Sequence, residues 1–215
     1  MHKSSINKKM IQLRTELLEK ISETEQEFEK LITTETIILF DLDGTLVDTN
    51  LANFLSYKKA IQFVTKSDHN LIYNPDRRFN RSNLKSAVPN LNETEYERII
   101  QKKEECYDDF LNETTLNTKI ADILSKYSKT NKTVLVTNCR KERALATLNH
   151  FGLTDKFSNI FFRQFTDNNI KINKFRNAIS QLGIPPNLVI AFENEECEIA
   201  DAQKAGVLII NPIYV

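Results

Sequence analysis

The sequence predicts an α/β protein: a doubly wound parallel sheet with a helical segment inserted after the first strand. Three observations carry that prediction. Short β-branched, apolar runs at 36–40, 133–137, 159–162, 188–192 and 207–210 read as buried strands. Stretches at 118–127, 142–151, 173–182 and 197–205 fall between the later runs and carry helical patterns, so strands and helices alternate. The segment 51–115 interrupts the alternation, being helical in pattern with no strong strand.

In chain order, Met10, Leu13, Leu17, Ile21, Thr24, Phe28 and Leu31 recur at threes and fours amid Glu and Lys, an amphipathic helix within residues 1–34. Two readings of it stand: a helix folded onto its own core, or an arm through which two copies form a homodimer. Residues 35–50 and 116–215 then form the α/β core, and 51–115 the insertion. Asn74-Pro75-Asp76 and Val88-Pro89-Asn90 are turn signals that divide the inserted helices. The first half of the insertion is basic, with Lys58, Lys59, Lys66, Arg77, Arg78, Arg81 and Lys85, and residues 91–113 are predominantly acidic. These cations form either a solvated face against the acidic helix or a set of guanidinium forks for a second anionic group of a ligand.

A chain of 215 residues with 40% hydrophobic content accommodates one full core and a small appended domain. The formal net charge is zero, which offers no electrostatic reason for a nucleic-acid partner. The first residues, Met1-His2-Lys3-Ser4-Ser5, begin no apolar leader, and no stretch reaches membrane-spanning length, so a cytoplasmic protein without a membrane partner is expected. Cys106, Cys139 and Cys197 are odd in number and lack Cys-x-x-Cys spacing, which implies reduced thiols rather than a disulfide framework or a structural zinc.

The chemistry concentrates where the first apolar run ends, at Asp41-Leu42-Asp43-Gly44-Thr45. Open α/β sheets bind ligands at the carboxyl ends of their strands, and residues two apart on an extended backbone point to the same side. Two carboxylates held together repel, unless a divalent cation cancels the repulsion or a phosphoryl-transfer site uses one as nucleophile and the other as proton carrier. Gly44 permits the sharp turn by which the chain leaves the site.

The string Phe40-Asp41-Leu42-Asp43-Gly44-Thr45-Leu46-Val47-Asp48-Thr49 resembles the first motif of the haloacid dehalogenase superfamily. Thr133-Val134-Leu135-Val136-Thr137-Asn138 is similar to the second motif, Lys171 ahead of Phe175, Ala178, Ile179 and Leu182 to the third, and Leu188 to Asn194 with Glu198 to the fourth. The resemblance spans about Thr36 to Pro212 and implies a Rossmann-like core whose insertion is a helical cap over the active site. It implies Asp41 as nucleophile, Asp43 as acid and base, Thr137 and the Asn138 amide on the phosphoryl oxygens, and magnesium held by Asp41, Asp43 and Asn194. For the third motif Lys171 competes with Lys174, which would start inside the helix, and Lys171 is favoured. Many capped members have Glu-Asp where this chain has Glu193-Asn194, so an amide oxygen replaces a carboxylate; Glu193 or Glu198 could compensate, although Glu198 reads equally as a helix start.

The resemblance therefore implies a magnesium-dependent phosphatase of a small phosphorylated metabolite, working through an aspartyl-phosphate. Dehalogenases of the family lack an acid at the position of Asp43, because a halide leaves without a proton. A phosphomutase is the nearest enzymatic alternative, and a catalytically weak binding or regulatory protein on the same fold is the alternative from another class.

Overall fold

The computed structural model describes residues 30–168 and 170–211. Strands β1 (Ile37–Phe40), β4 (Lys132–Val136), β5 (Asn159–Phe161), β6 (Val189–Phe192) and β7 (Leu208–Ile210) form one parallel sheet in the order β5-β4-β1-β6-β7. Helices α4 (Thr118–Tyr127), α5 (Lys141–His150), α6 (Lys174–Leu182) and α7 (Glu196–Lys204) connect them. The expected N-terminal helix and its dimerisation reading lie almost wholly in residues 1–29, outside the described residues.

Side-chain alternation along β1 explains why the sheet is covered on both faces. Ile38 and Phe40 point into a core completed by Ile120 and Leu124 of α4 and Ala144 and Leu148 of α5. Ile37 and Leu39 point the other way, onto Phe175 and Ala178 of α6 and Ala202 of α7. All four β1 residues are buried, which is why the strand reads as a continuous apolar run rather than an alternating one. Phe40 stacks on Phe192 of β6 at 5.1 Å between ring centroids and meets Phe157 edge-on at 6.0 Å, so the last turn of β1 before Asp41 rests on packed rings.

Register brings three strand ends together. Phe40 pairs with Leu135 of β4 and with Phe192 of β6, and the Asp41 amide donates to the Phe192 carbonyl at 3.1 Å. Asp41 and Glu193 thus leave the sheet side by side at its carboxyl edge, with Thr137 one residue beyond that level on β4, where the strand order turns on either side of β1.

The insertion comprises α1 (Asn50–Thr65), α2 (Arg81–Ala87), α3 (Glu93–Glu105) and a 3₁₀ segment at Tyr107–Glu113. It has its own apolar cluster of Tyr57, Ala60, Ile61, Leu84, Val88, Ile99 and Ile100. Asn80 and Asn92 cap α2 and α3 with capping boxes, so both helices start where their asparagines satisfy otherwise orphaned amides. Two short strands absent from the sequence reading, β2 (Val47–Asp48) and β3 (Thr115–Leu116), pair antiparallel at the root of the insertion. Two residues per strand carry no periodicity, and the pairing exists because the chain leaves and re-enters the core at one place.

Candidate active site

Asp41 and Asp43 follow β1 directly, and their side chains share one cavity of about 140 Å³ with Thr137, Asn138, Lys174 and Glu193. Gly44 makes the exit turn at φ +86, its amide donating to the Val47 carbonyl at 2.8 Å. A Cβ at Gly44 would sit 2.7 Å from Asn194 Nδ2, so two independent constraints demand glycine there.

The lysine beside Asp41 is Lys174, not the Lys171 favoured from the sequence. Lys174 Nζ donates to Asp41 Oδ1 and to Glu193 Oε2, each at 2.6 Å, with all three side chains buried. Lys171 instead pairs with Glu198 on a half-exposed edge. The physical reason is the position of the helix start. Asn173 caps α6, its side chain accepting from the Arg176 amide, so Lys174 is the first helical residue and shares the buried face with Phe175 and Ala178.

Glu193 orients this lysine. Its other oxygen, Oε1, accepts the backbone amides of Asn194 and Glu195 at 2.9 Å each. Burial pushes the Asp41 carboxyl up to about 8, with Glu193 and Asp43 adding to the rise and Lys174 opposing it. Burial disfavours the charged form of Lys174 as well, but the two carboxylates outweigh it and hold the ammonium well above the ordinary lysine value.

Asp43 sits in a different field. Burial alone would raise its carboxyl, yet Arg143, Arg78 and the Thr49 hydroxyl outweigh burial and hold it well below the usual carboxylate range. Arg78 Nη2 meets Asp43 Oδ1 at 3.1 Å, Arg143 Nη2 meets Oδ2 at 3.2 Å, and Thr49 Oγ1 donates to Oδ1 at 2.5 Å. The two acids are thereby distinguished: one shares a lysine with a second carboxylate, the other is held by two guanidiniums.

Thr137 and Asn138 stand where β4 ends. The Thr137 amide donates to the Phe161 carbonyl at 2.9 Å, and its hydroxyl accepts from the Cys139 amide at 3.1 Å, which tightens the turn into α5. Asn138 Oδ1 lines the cavity edge buried and without a hydrogen-bond partner.

Asn194 is not among the residues lining the cavity. Its Oδ1 accepts from Thr45 Oγ1 at 2.9 Å and its amide lies against Gly44. Glu195 and Glu198 line the cavity instead. Five carboxylates and three cations therefore surround it, a donor set of hard oxygens short of positive charge. Such a set fits a divalent cation bound through oxygen, with Glu195 and the second oxygens of Asp41 and Glu198, whose first oxygens meet Lys174 and Lys171, as the side-chain donors that line it.

A family model described as haloacid dehalogenase-like hydrolase matches residues 38–211. The chain belongs to this family. Among solved structures, the chain is similar to CbbY from Rhodobacter sphaeroides in complex with phosphate, 17% identical with a TM-score of 0.65 over 83% of this chain and 87% of that one. A haloacid dehalogenase-like hydrolase from Streptococcus pneumoniae is 19% identical with a TM-score of 0.64, covering 84% and 85% of the two chains. A protein from Haemophilus somnus described as a predicted phosphoglycolate phosphatase is 21% identical with a TM-score of 0.64, covering 84% and 86%. No curated protein matches the chain. At these identities the solved structures share the fold.

Arg143 and Glu195 of the cavity escaped the sequence reading, and Arg78 was left undecided there. Arg143 was missed, although it lies four residues before Thr147 and beside Ala144 on the inward face of α5. Arg78 was one of seven basic residues in the first half of the insertion; the structure separates it from Lys59, which pairs with Asp109, and Lys85, which pairs with Glu93.

Proposed function

We propose that this hydrolase is a magnesium-dependent phosphatase of a small phosphorylated metabolite, working through an aspartyl-phosphate on Asp41. The observation that carries the reading is the pair of acids in one cavity, one beside Lys174 and the other clasped by arginines. Asp41 Oδ attacks phosphorus, an O–P bond forms, and the bond to the alcohol oxygen breaks. Asp43 first takes up a solvent proton against the pull of its two guanidiniums and passes it to that oxygen; in the second step, as the carboxylate, it takes a proton from water, which attacks phosphorus and releases phosphate with Asp41 restored.

Lys174 offsets charge on the nucleophile and the transferred group, and Thr137 with the Asn138 amide takes the equatorial oxygens. A bound magnesium ion would supply the missing positive charge, with Asp41, Glu195 and Glu198 as its side-chain ligands. The insertion acts as a cap, since Arg78 reaches Asp43, Thr49 and Asn50 across the cavity mouth. The small cavity favours a compact leaving group.

Hydrolysis of p-nitrophenyl phosphate with and without magnesium tests the reading, alongside Asp41→Asn. The amide keeps an acceptor for Lys174 and cannot form the phosphoenzyme, so turnover is expected to vanish while the thermal midpoint holds or rises. Asp41→Asn activity within a few-fold of wild type would refute the nucleophile.

A further inference from the structure

We propose that Arg143 is a positioning residue that aims the Asp43 carboxylate at the leaving oxygen; the proposal rests on the phosphatase reading above. Arg143 is the third residue of α5, the core helix that begins just after Thr137 and Asn138. Its side chain is only 11% exposed, and its guanidinium is held on three sides. Nη2 donates to Asp43 Oδ2 at 3.2 Å, Nη1 donates to Asn53 Oδ1 at 3.4 Å, and the plane lies 5.3 Å from the Tyr107 ring centroid. A planar fork fixed in this way holds a carboxylate in one orientation, which a flexible ammonium does not.

The two oxygens of Asp43 are held differently. Oδ1 takes Thr49 and Arg78, whereas Oδ2 takes Arg143. Thr49 alone would leave the carboxylate free to turn about that one bond. Arg78 supplies a further restraint, but from the insertion. Arg143 rises from the core helix that follows Thr137 and Asn138, so Oδ2 is tied to the same element that leads out of the strand end beside Asp41, while Asn53 and Tyr107 of the insertion fix the plane of its guanidinium.

A purely structural role is the competing account, because Arg143 also bonds Asn53 and faces Glu104 Oε2 at 3.9 Å, both in the insertion. The two accounts separate on the leaving group. An alkoxide needs a proton as it departs, and a p-nitrophenolate leaves as the anion. The ratio kcat/KM reports the step that expels the alcohol, before the phosphoenzyme common to all substrates.

The experiment compares wild type, Arg143→Ala and Arg143→Lys on p-nitrophenyl phosphate and on glycerol phosphate, with stability followed by thermal melting. Arg143→Ala is expected to lose about ten-fold or more in kcat/KM on the alkyl ester and under about three-fold on the aryl ester. Arg143→Lys keeps the buried charge and loses the fork, so it is expected to melt near wild type and still show the split; it reads the same quantity if the alanine variant does not fold. Equal losses on both esters, or full recovery of the alkyl rate by lysine, would overturn the proposal. So would a wild type that cleaves the aryl ester alone, with the phosphatase reading left standing. A wild type that cleaves neither ester overturns the phosphatase reading, and the role of Arg143 with it.

Discussion

Replacing Lys174 by Met removes the one cation that Asp41 and Glu193 share, and its cost can be worked from their burial. The three side chains are 4%, 7% and 1% exposed, so neither carboxylate gains water in exchange for the lost ammonium. Breaking a buried pair by removing one partner costs about 3–5 kcal/mol, a large part of the roughly 5–15 kcal/mol that stabilises a typical domain. Lys171→Ala leaves Glu198 buried without its lysine but removes a half-exposed partner whose place water can take, and should cost less, about 1–3 kcal/mol.

The pH dependence has a definite sign. A carboxyl whose folded value is raised destabilises the fold above its unfolded value, here 3.8, and the penalty is complete above the folded value, about 8 for Asp41. Lys174 works against that rise, so its removal lifts the folded value further and enlarges the penalty at high pH. Urea unfolding of both proteins should therefore show a gap at pH 8 that narrows at pH 5, where Asp41 is protonated. Turnover should fall by about 100-fold or more in Lys174→Met and by only a few-fold in Lys171→Ala. A larger loss in Lys171→Ala, or a gap that widens toward pH 5, would refute the assignment of Lys174.

Substitutions at Gly44, Asn194 and Glu195 probe the surroundings of Asp41. Gly44→Ala should destabilise by about 1–3 kcal/mol, since φ +86 is strained for any side chain and the new Cβ meets Asn194 Nδ2 at 2.7 Å; denaturant titration of Gly44→Ala against Gly44→Ala/Asn194→Ala separates the contact from the backbone strain. Glu195→Gln should weaken magnesium binding about ten-fold or more in calorimetric titration, whereas Asn194→Ala should change it little because its side chain is spent on Thr45. The reverse order would return Asn194 to the metal.

Much of the fold was legible because its signals are local. The five strands of the main sheet and the four helices between them lie within a residue or two of their expected bounds, since β-branched runs and helical spacing act within one element. Asp41, Asp43, Thr137 and Asn138 were legible for the same reason: each stands at a strand's carboxyl end, and parallel register alone brings those ends together. The pair β2 and β3 was not, because two-residue strands have no period to read.

What the tertiary structure decided was which side chain meets which. Lys171 and Lys174 are three residues apart, and only the Asn173 cap on α6 turns the second inward to Asp41, 133 positions away in the chain. Asn194 follows β6 where a cavity ligand was expected, and the Thr45 hydroxyl draws it aside. Arg143 and Arg78 reach Asp43 from a core helix and from the insertion. The sequence by itself determined the sheet, the crossing helices and the strand ends that carry the acids, because periodicity and turn chemistry are properties of neighbouring residues. The partners of those acids were decided by folding, because a buried charge takes its counter-ion from whatever element the packing brings within about 3 Å, and no local pattern records that choice.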